Sequence, residues 1–235
     1  MIVETIEWHT FHPRFINSDS VILDLGANLG RFSHSMIKRF GCRCYAVEAS
    51  PDIYDRIEPN NLLHTFNFAV CNTNGIVRFN ISENSEGSSI IYSNGVRFIR
   101  HIEIRGKHLE GFVNEIGLSR IDLLKFDIEG AEIKVIDSCS DDFFKNKVSQ
   151  MTIEFHDFCD ITKTQEIKRI FSRFNEIGFF SVRMSKNSYQ DTFFLNQKLC
   201  YISPLECLWL RYFVRNWTGL MRILNRTFLL SRKNT

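Results

Sequence analysis

The amino-acid sequence predicts an α/β fold in which helices cover a mainly parallel β-sheet. Short apolar runs alternate with amphipathic stretches along most of the 235 residues, which is typical of repeated strand-helix-strand units. The first apolar run, 21–25, ends in the glycine turn Gly26-Ala27-Asn28-Leu29-Gly30. The last two predicted strands, 179–183 and 192–196, are joined by a short polar link and must therefore be antiparallel. A parallel sheet that ends in a reversed hairpin is expected.

Hydrophobic periodicity assigns the remaining elements in chain order. After the first strand come a helix at 31–40, a strand at 44–48, a short helix from 51 and a third strand at 65–70. Gly75 interrupts this pattern, and 76–81 and 95–104 alternate as the strands of an added hairpin. Glycines 117 and 178 are expected to stop two helices. The elements of this second half are helix 109–116, strand 122–127, helix 131–138, strand 151–155 and helix 165–177.

The first turn has the composition of a site for an adenosine-containing cofactor. Gly26 and Gly30 allow a sharp turn and close approach of a ligand, and Glu48, 18 residues after Gly30, would accept the ribose hydroxyls. A nicotinamide dinucleotide requires Gly-x-Gly-x-x-Gly facing its pyrophosphate, and Gly-x-Gly is missing here. Asp24 would repel a pyrophosphate but would pair with the cationic amino-acid end of S-adenosylmethionine. The turn favours S-adenosylmethionine, with a dinucleotide as the alternative.

Two later segments strengthen this interpretation. A mostly buried strand ends in the segment Lys125-Phe126-Asp127-Ile128-Glu129-Gly130-Ala131-Glu132, and Thr152-Ile153-Glu154-Phe155-His156 forms the next strand. Together with the glycine turn and Ala46-Val47-Glu48-Ala49-Ser50-Pro51, they resemble the FkbM family of S-adenosylmethionine-dependent methyltransferases. The resemblance covers residues 10–200, although His108-Leu109-Glu110 stands where the family commonly has Thr-Leu-Asp.

The resemblance implies a Rossmann-like class I methyltransferase domain over residues 1–203. It also implies methyl transfer to a hydroxyl of a sugar, glycan or secondary metabolite. A reversed C-terminal hairpin agrees with this fold better than with a purely parallel dinucleotide domain. The alternatives are an NAD-type nucleotide-dependent enzyme and a catalytically inactive, membrane-associated module that binds S-adenosylmethionine.

Ligands of such sheets bind beyond the carboxyl ends of the strands, which is where the candidate site residues fall. The expected cofactor-binding residues are Asp24, Gly26, Ala27, Asn28, Gly30, Glu48, Ala49 and Ala69. The expected catalytic residues are Asp127, Glu129 and His156. His156 is the candidate base because an imidazole titrates near ~6.5, although a helix cap or a core histidine is an equal alternative. Glu129 and Glu132 are also residues that would favourably start a helix.

A divalent metal is a further alternative, since Asp127, Glu154 and His156 would supply oxygen and nitrogen ligands beside an acceptor hydroxyl. The acceptor itself is expected to meet the segment 83–108, which is rich in Ser, Asn and Gly, because such loops carry specificity.

Composition excludes several other classes of protein. The seven cysteines form no Cys-x-x-Cys pair, so neither a zinc site nor a disulfide framework is expected. No basic segment followed by an apolar run begins the chain, and no charge-free stretch is apolar enough to span a membrane. These features predict a cytoplasmic protein with reduced thiols.

The C-terminal segment 204–235 differs from the rest of the chain. It has six basic residues and one acidic residue, and therefore a net charge of +5. At helical spacing Arg211, Arg215, Arg222 and Arg226 share one face, and Trp209, Phe213, Trp217, Leu220 and Leu224 lie opposite. This predicts an amphipathic helix that packs on the domain, forms a homodimer or lies peripherally on a membrane. Nucleic acid is not expected as a partner, because the aromatic residues face away from the arginines.

Overall fold

The computed structural model describes residues 2–82, 88–90, 98–156, 163–185 and 188–214. The elements up to the middle of the chain are β1 (Glu4–Ile6), β2 (His9–Phe11), β3 (Val21–Leu25), α1 (Arg31–Phe40), β4 (Arg43–Glu48), α2 (Pro51–Tyr54), β5 (Leu63–Asn67), β6 (Ala69–Cys71), β7 (Gly75–Ser82), β8 (Phe98–His108) and α3 (Leu109–Glu115). They are followed by β9 (Leu123–Phe126), α4 (Glu132–Ser138), α5 (Asp141–Lys147), β10 (Gln150–Ile153), α6 (Lys163–Glu176), β11 (Phe179–Arg183), β12 (Thr192–Asn196) and α7 (Pro204–Trp209).

A seven-stranded sheet forms the centre of the fold, in the order β11-β12-β10-β9-β3-β4-β5. The pairs from β10 to β5 are parallel, whereas β12 is antiparallel to both of its neighbours. The predicted α/β fold with a reversed C-terminal hairpin is therefore confirmed. Of the two closing strands, only β12 runs opposite to the central parallel strands. β11 is antiparallel to β12 and therefore runs in the same direction as the central strands.

Both faces of this sheet are covered by apolar side chains, as expected for parallel strands. Leu23 and Leu25 of β3 pack in one cluster with residues of α3, α4 and α6. Ile22 points to the other face, where it packs with Phe32 and Met36 of α1. The strand ends are thereby held in fixed positions at one edge of the sheet.

The predicted third strand, 65–70, is divided in the structure. β5 belongs to the central sheet, whereas β6 pairs with β8 in a separate three-stranded sheet of order β6-β8-β7. No glycine or proline stands in 65–70, so the sequence does not mark where the chain changes sheets. The predicted hairpin is confirmed by antiparallel pairing of β7 with β8. Of its second predicted strand, 95–104, residues 95–97 lie outside the described part of the chain.

Two elements have no sequence prediction. The hairpin β1–β2 has strands of three residues each, and its connection contains neither Gly nor Asn. Helix α5 has seven residues and is capped by Ser140, whose hydroxyl accepts a hydrogen bond from the Phe143 amide at 3.1 Å. The strands of three residues are too short for hydrophobic periodicity to identify. α5 is as long as α3 and α4, but Phe143 and Phe144 are its only apolar residues and show no helical repeat.

The predicted C-terminal helix is only partly described. α7 begins with a capping box between Ser203 and Glu206, and its α-helical geometry ends at Trp209, with a π-helical turn over 210–214. Arg14 pairs with Glu206 at 2.9 Å, and Leu210 is fully buried. The apolar side chains that face solvent are Tyr201, Leu205, Leu208, Trp209 and Tyr212. The predicted basic face beyond 214 lies outside the described residues.

Within those residues, no helix is long and apolar enough to cross a membrane.

Candidate active site

A cavity of about 580 Å³ lies beyond the carboxyl ends of β3, β4, β9 and β10. Its walls include the glycine turn, the ends of the strands and parts of the N-terminal hairpin and of the small sheet. Of the predicted cofactor residues, the cavity lining contains Gly26, Ala27, Asn28, Glu48, Ala49 and Ala69. Gly30 and Asp24 are not part of that lining.

The glycine turn is held by backbone hydrogen bonds to its own residues and to β4. The amides of Gly26 and Ala27 both donate to the Val47 carbonyl oxygen at 3.0 Å. The Asn28 amide donates to Glu48 Oε2 at 2.8 Å, and the Gly30 amide donates to the Ala27 carbonyl at 2.8 Å. Four amide groups of the turn are thus paired within the protein.

Gly26 is required by its backbone conformation and by its surroundings. Its φ is +76°, and an added Cβ would overlap the carbonyl oxygen of Asp127. Gly117 has a similar φ of +69°, but a Cβ there would meet no atom within 4 Å. Alanine substitutions at the two glycines therefore distinguish the free-energy cost of the backbone conformation from the cost of the steric overlap.

We expect Gly117→Ala to lower the free energy of unfolding by about 1 kcal/mol through its left-handed backbone. Gly26→Ala should lower it by about 1–3 kcal/mol more, because the end of β9 must also move. Urea unfolding of both variants measures the difference. Equal losses would show that Gly26 is needed for its φ alone.

Glu48 is buried at the end of β4, where it joins the turn to the following segment. Its Oε1 accepts a hydrogen bond from the Ser50 amide and its Oε2 from the Asn28 amide, both at 2.8 Å. Burial raises the pKa of Glu48, partly offset by these two amide donors and by Lys125. Each carboxylate oxygen has a further lone pair, so the side chain can still accept hydrogen bonds from a ligand.

Asp24 is directed into the protein rather than into the cavity. It is fully buried, accepts a hydrogen bond from Ser33 Oγ at 2.7 Å and forms an ion pair with Lys125 at 3.0 Å. The parallel register of β3 and β9 places Asp24 directly opposite Lys125. Asp24 contacts Lys125 and Ser33 and is absent from the cavity lining, so its contact with the amino-acid end of a cofactor stays a prediction.

Lys125 is a site residue to which the sequence interpretation gave no role. Its ammonium group donates to the Gly26 carbonyl oxygen at 3.0 Å and lies 3.6 Å from Asp127 Oδ2. Burial alone would lower the pKa of Lys125, but Asp24 and Asp127 outweigh it and raise the pKa, so the side chain is cationic. The sequence does contain a signal for this role, which is a lysine within the mostly apolar segment 121–126. A lysine in a buried strand needs a charged partner, because lysine is almost never fully buried without one.

Asp127 faces the cavity at the end of β9. Its Oδ2 lies 3.6 Å from Nε2 of His9, a residue of β2 that sequence analysis missed. Burial would raise the pKa of Asp127, but the Lys125 ammonium and His9 hold it below its usual range. The carboxylate is therefore ionised at neutral pH and is a weak base.

A turn rich in acidic residues follows Asp127 and is organised by Glu132. Its buried Oε1 accepts hydrogen bonds from the amides of Ile128 and Gly130 at 3.2 and 3.0 Å. Glu132 also begins α4, so its helix-starting interpretation is correct but incomplete. Ser89 of the predicted acceptor region donates to the Glu129 carbonyl oxygen at 2.7 Å, which links the small sheet to this turn.

His156 lies between two carboxylates of the same turn. Its Nε2 is 3.1 Å from Glu129 Oε2, and its Nδ1 is 3.1 Å from Glu132 Oε1. Burial would lower the pKa of His156, but the two glutamates raise it well above the usual value. The imidazolium form that this pairing favours has no lone pair to accept a proton. His156 therefore positions Glu129, and the expectation that it is the base is not supported.

Glu154 has the pKa that suits proton transfer at neutral pH. It lines the cavity immediately after β10. Burial and the nearby charge of Asp127 raise the pKa of Glu154 to about 7. Burial likewise raises the pKa of Glu129, although its contact with His156 opposes this. Glu154 is therefore an acid that both lines the cavity, where a ligand can reach it, and has a pKa near neutrality.

The acids and histidines fall into two groups with the spacing of metal ligands. One group is His9, Asp127 and Glu154, and the other is Asp127, Glu129 and His156, with ligand atoms within 4.8 Å of one another in each. The predicted set of Asp127, Glu154 and His156 is thus divided between the two groups. Lys125, at 3.6 Å from Asp127, already supplies a positive charge at this point.

The sheet order and the position of the cavity define a Rossmann-like protein of the class I methyltransferase type. The family described as "Methyltransferase FkbM domain" matches residues 24–180. The chain belongs to this family, and the resemblance inferred from the four sequence segments is confirmed.

Curated relatives are similar over part of the chain. AMB antimetabolite synthetase AmbE of Pseudomonas aeruginosa is 27% identical over 180 residues, covering 59% of this chain and 8% of that protein. Methyltransferase 1 of Beauveria bassiana is 25% identical over 178 residues, covering 64% of this chain and 72% of that protein. The chain thus spans only a small fraction of AmbE.

Among solved structures, precorrin-6y C5,15-methyltransferase from Geobacter metallireducens GS-15 is similar with a TM-score of 0.41 and 11% identity, covering 76% of this chain and 79% of that chain.

Proposed function

We propose that this methyltransferase uses S-adenosylmethionine to methylate a hydroxyl oxygen. The observation that carries the proposal is the cavity itself, which is lined both by the glycine turn and Glu48, at the ends of β3 and β4, and by Asp127 and Glu154, after β9 and β10. The first group suits an adenosine and the second suits a reacting hydroxyl. Family membership supports the same reaction class.

The residues around Glu48 fit the adenosine half of the cofactor. Glu48 retains acceptor capacity for the ribose hydroxyls, and the small side chains of Ala49 and Ala69 leave space beside it. A dinucleotide fits less well, because a pyrophosphate needs free amide donors at the turn. The amides of Gly26, Ala27, Asn28 and Gly30 are instead paired internally.

S-adenosylmethionine would supply an electrophilic methyl group to this site. The protein must then align the acceptor oxygen and remove its proton. We assign the proton to the Glu154 carboxylate, since Asp127 is too weak a base and His156 is paired with Glu129 and Glu132. Lys125 stabilises the ionised Asp127 beside it.

The acceptor that we propose is a sugar, a glycan or a secondary metabolite. The cavity wall formed by Ser88 and Ile90, which flank the residue bridged to Asn80 of β7, belongs to the predicted acceptor region. A membrane-linked acceptor is the variant supported by the C-terminal surface, where exposed apolar side chains precede a basic segment.

Calorimetric titration with S-adenosylmethionine, and separately with NAD, tests the cofactor. We expect binding of S-adenosylmethionine that weakens by about 10- to 100-fold in Glu48→Ala, because hydrogen bonds from ribose hydroxyls to a charged acceptor are lost. Glu115→Ala, which removes an exposed glutamate of α3, is the matched control and should leave the affinity unchanged. Binding of NAD alone, or of neither compound, would overturn the proposal.

A further inference from the structure

The hairpin β1–β2 has a strained connection at the rim of the cavity. Ile6 pairs with His9, so Glu7 and Trp8 alone form the connection, and their φ values are 45° and 70°. Two-residue hairpin turns need positive φ, which Asn-Gly sequences adopt readily. A glutamate and a tryptophan adopt it at a cost, and strain of this kind concentrates at functional sites.

The strand that follows this connection, β2, is held in place by buried contacts. The Thr10 amide and hydroxyl donate to the Asp191 carboxylate at 3.2 and 2.8 Å. The buried His9 ring packs against the edge of Phe32 at a centroid distance of 5.6 Å. The Trp8 side chain is nevertheless 70% exposed, although it lines the cavity. An indole that large and that exposed adds little to the core.

The contact made by its neighbour His9, together with the strand order, locates Trp8 within the cavity. His9, the neighbour of Trp8, contacts Asp127 at the end of β9. Glu48 is at the end of β4, and β3 lies between these two strands. Trp8 is therefore on the side of the cavity away from the proposed ribose contact. That is the side where the acceptor hydroxyl must meet Glu154.

We propose that Trp8 is a stacking platform that binds a carbohydrate ring of the acceptor and thereby determines acceptor specificity. An indole offers a large, rigid apolar face at a low cost in conformational entropy. The cavity acids Asp127 and Glu154 can accept hydrogen bonds from the hydroxyl groups of a sugar ring. An acceptor with a purely apolar aromatic ring has no such hydroxyl groups, so a carbohydrate fits this site better. This proposal rests on the proposed function and names the chemical class of its acceptor.

Three variants of the full chain test this role. Trp8→Gly removes the indole and relieves the positive φ, Trp8→Ala removes the indole but keeps the strain, and Trp8→Phe keeps an aromatic face. The probes are methyl glycosides and short glycans, titrated calorimetrically into protein saturated with S-adenosylhomocysteine. Thermal unfolding without any ligand is the second measurement.

We expect Trp8→Gly and Trp8→Ala to weaken glycoside binding by about tenfold or more, and Trp8→Phe to change it by less than about threefold. Trp8→Gly should raise the unfolding midpoint by about 2–4 °C, since it relieves backbone strain. All three variants should bind S-adenosylhomocysteine as the unmodified protein does.

A merely structural tryptophan would instead lower the unfolding midpoint when replaced by glycine, and this result would overturn the proposal. Unchanged glycoside binding in Trp8→Gly, or no glycoside binding by the unmodified protein, would overturn it too. Failure to bind S-adenosylhomocysteine would refute the proposed function first, so the two failures are distinguishable.

Discussion

Glu154→Gln is expected to lower kcat for methyl transfer by about 10²- to 10⁴-fold, the usual contribution of a general base. Glutamine keeps the size of the side chain but cannot accept the proton. In the unmodified protein the rate should rise with pH through about 7, the pKa to which burial and Asp127 raise Glu154. Release of S-adenosylhomocysteine, measured between pH 5.5 and 8.5 with an acceptor found by glycan screening, gives both results.

The same variant should be more stable than the unmodified protein above neutral pH. An unfolded glutamate titrates near ~4.3, so between that value and about 7 the folded protein binds the extra proton. Stability contributed by protonated Glu154 is therefore lost as the pH rises through about 7. A rise in the relative stability of Glu154→Gln from pH 5 to pH 8 would show that its lost activity is not caused by unfolding.

Two results would contradict this assignment of the base. One is a Glu154→Gln enzyme whose kcat stays within about threefold of the unmodified value. The other is an unchanged acidic limb of the pH profile in that variant, which would direct attention to Asp127 or Glu129.

Lys125→Met is expected to lower the free energy of unfolding by about 3–5 kcal/mol, because it leaves the fully buried Asp24 without its cation. This is a large part of the total stability of an ordinary domain. The substitution also removes the bond to the Gly26 carbonyl oxygen, so the glycine turn loses one of its supports. Urea unfolding at neutral pH measures the loss.

The matched variant is Asp24→Asn combined with Lys125→Met, which removes both charges from the pair. We expect this double variant to recover at least half of the lost stability, since the fully buried position 24 no longer carries an uncompensated charge. Recovery should be incomplete, because Asp127 has also lost its lysine partner. Asp24→Asn alone should be less harmful than Lys125→Met, because Lys125 keeps Asp127 as a second carboxylate partner. A double variant no more stable than Lys125→Met would show that the packing of the lysine stem, and not its charge, is what matters.

The elements that the sequence predicts well are those with strong local patterns. The central strands along the chain, the glycine turn and the position of Glu48 at the end of β4 all follow from short-range spacing. The pairing of Asp24 with Lys125 does not, because it depends on the register between two strands about 100 residues apart in sequence. A carboxylate two residues before a turn gives no indication of which way its side chain points.

The parts of the candidate site that were missed depend on long-range contacts. His9 reaches Asp127 through a hairpin whose connection lacks the usual glycine or asparagine. His156 has the right residue type for a base, but its flanking carboxylates come from a different segment of the chain. The pKa of a side chain reflects its surroundings in the fold, so the residue type alone could not show that both nitrogens of His156 contact carboxylates.

The internally paired glycine turn has a consequence for how quickly and how tightly a cofactor is held. Since Val47 and Glu48 already fix the amides of Gly26, Ala27 and Asn28, the conformational entropy of the turn is lost when the chain folds. That loss is not repeated on association, so contacts made at this wall are not offset by the cost of ordering the turn. The turn behaves as a rigid template, and exchange of spent cofactor for fresh cofactor requires no refolding of its backbone.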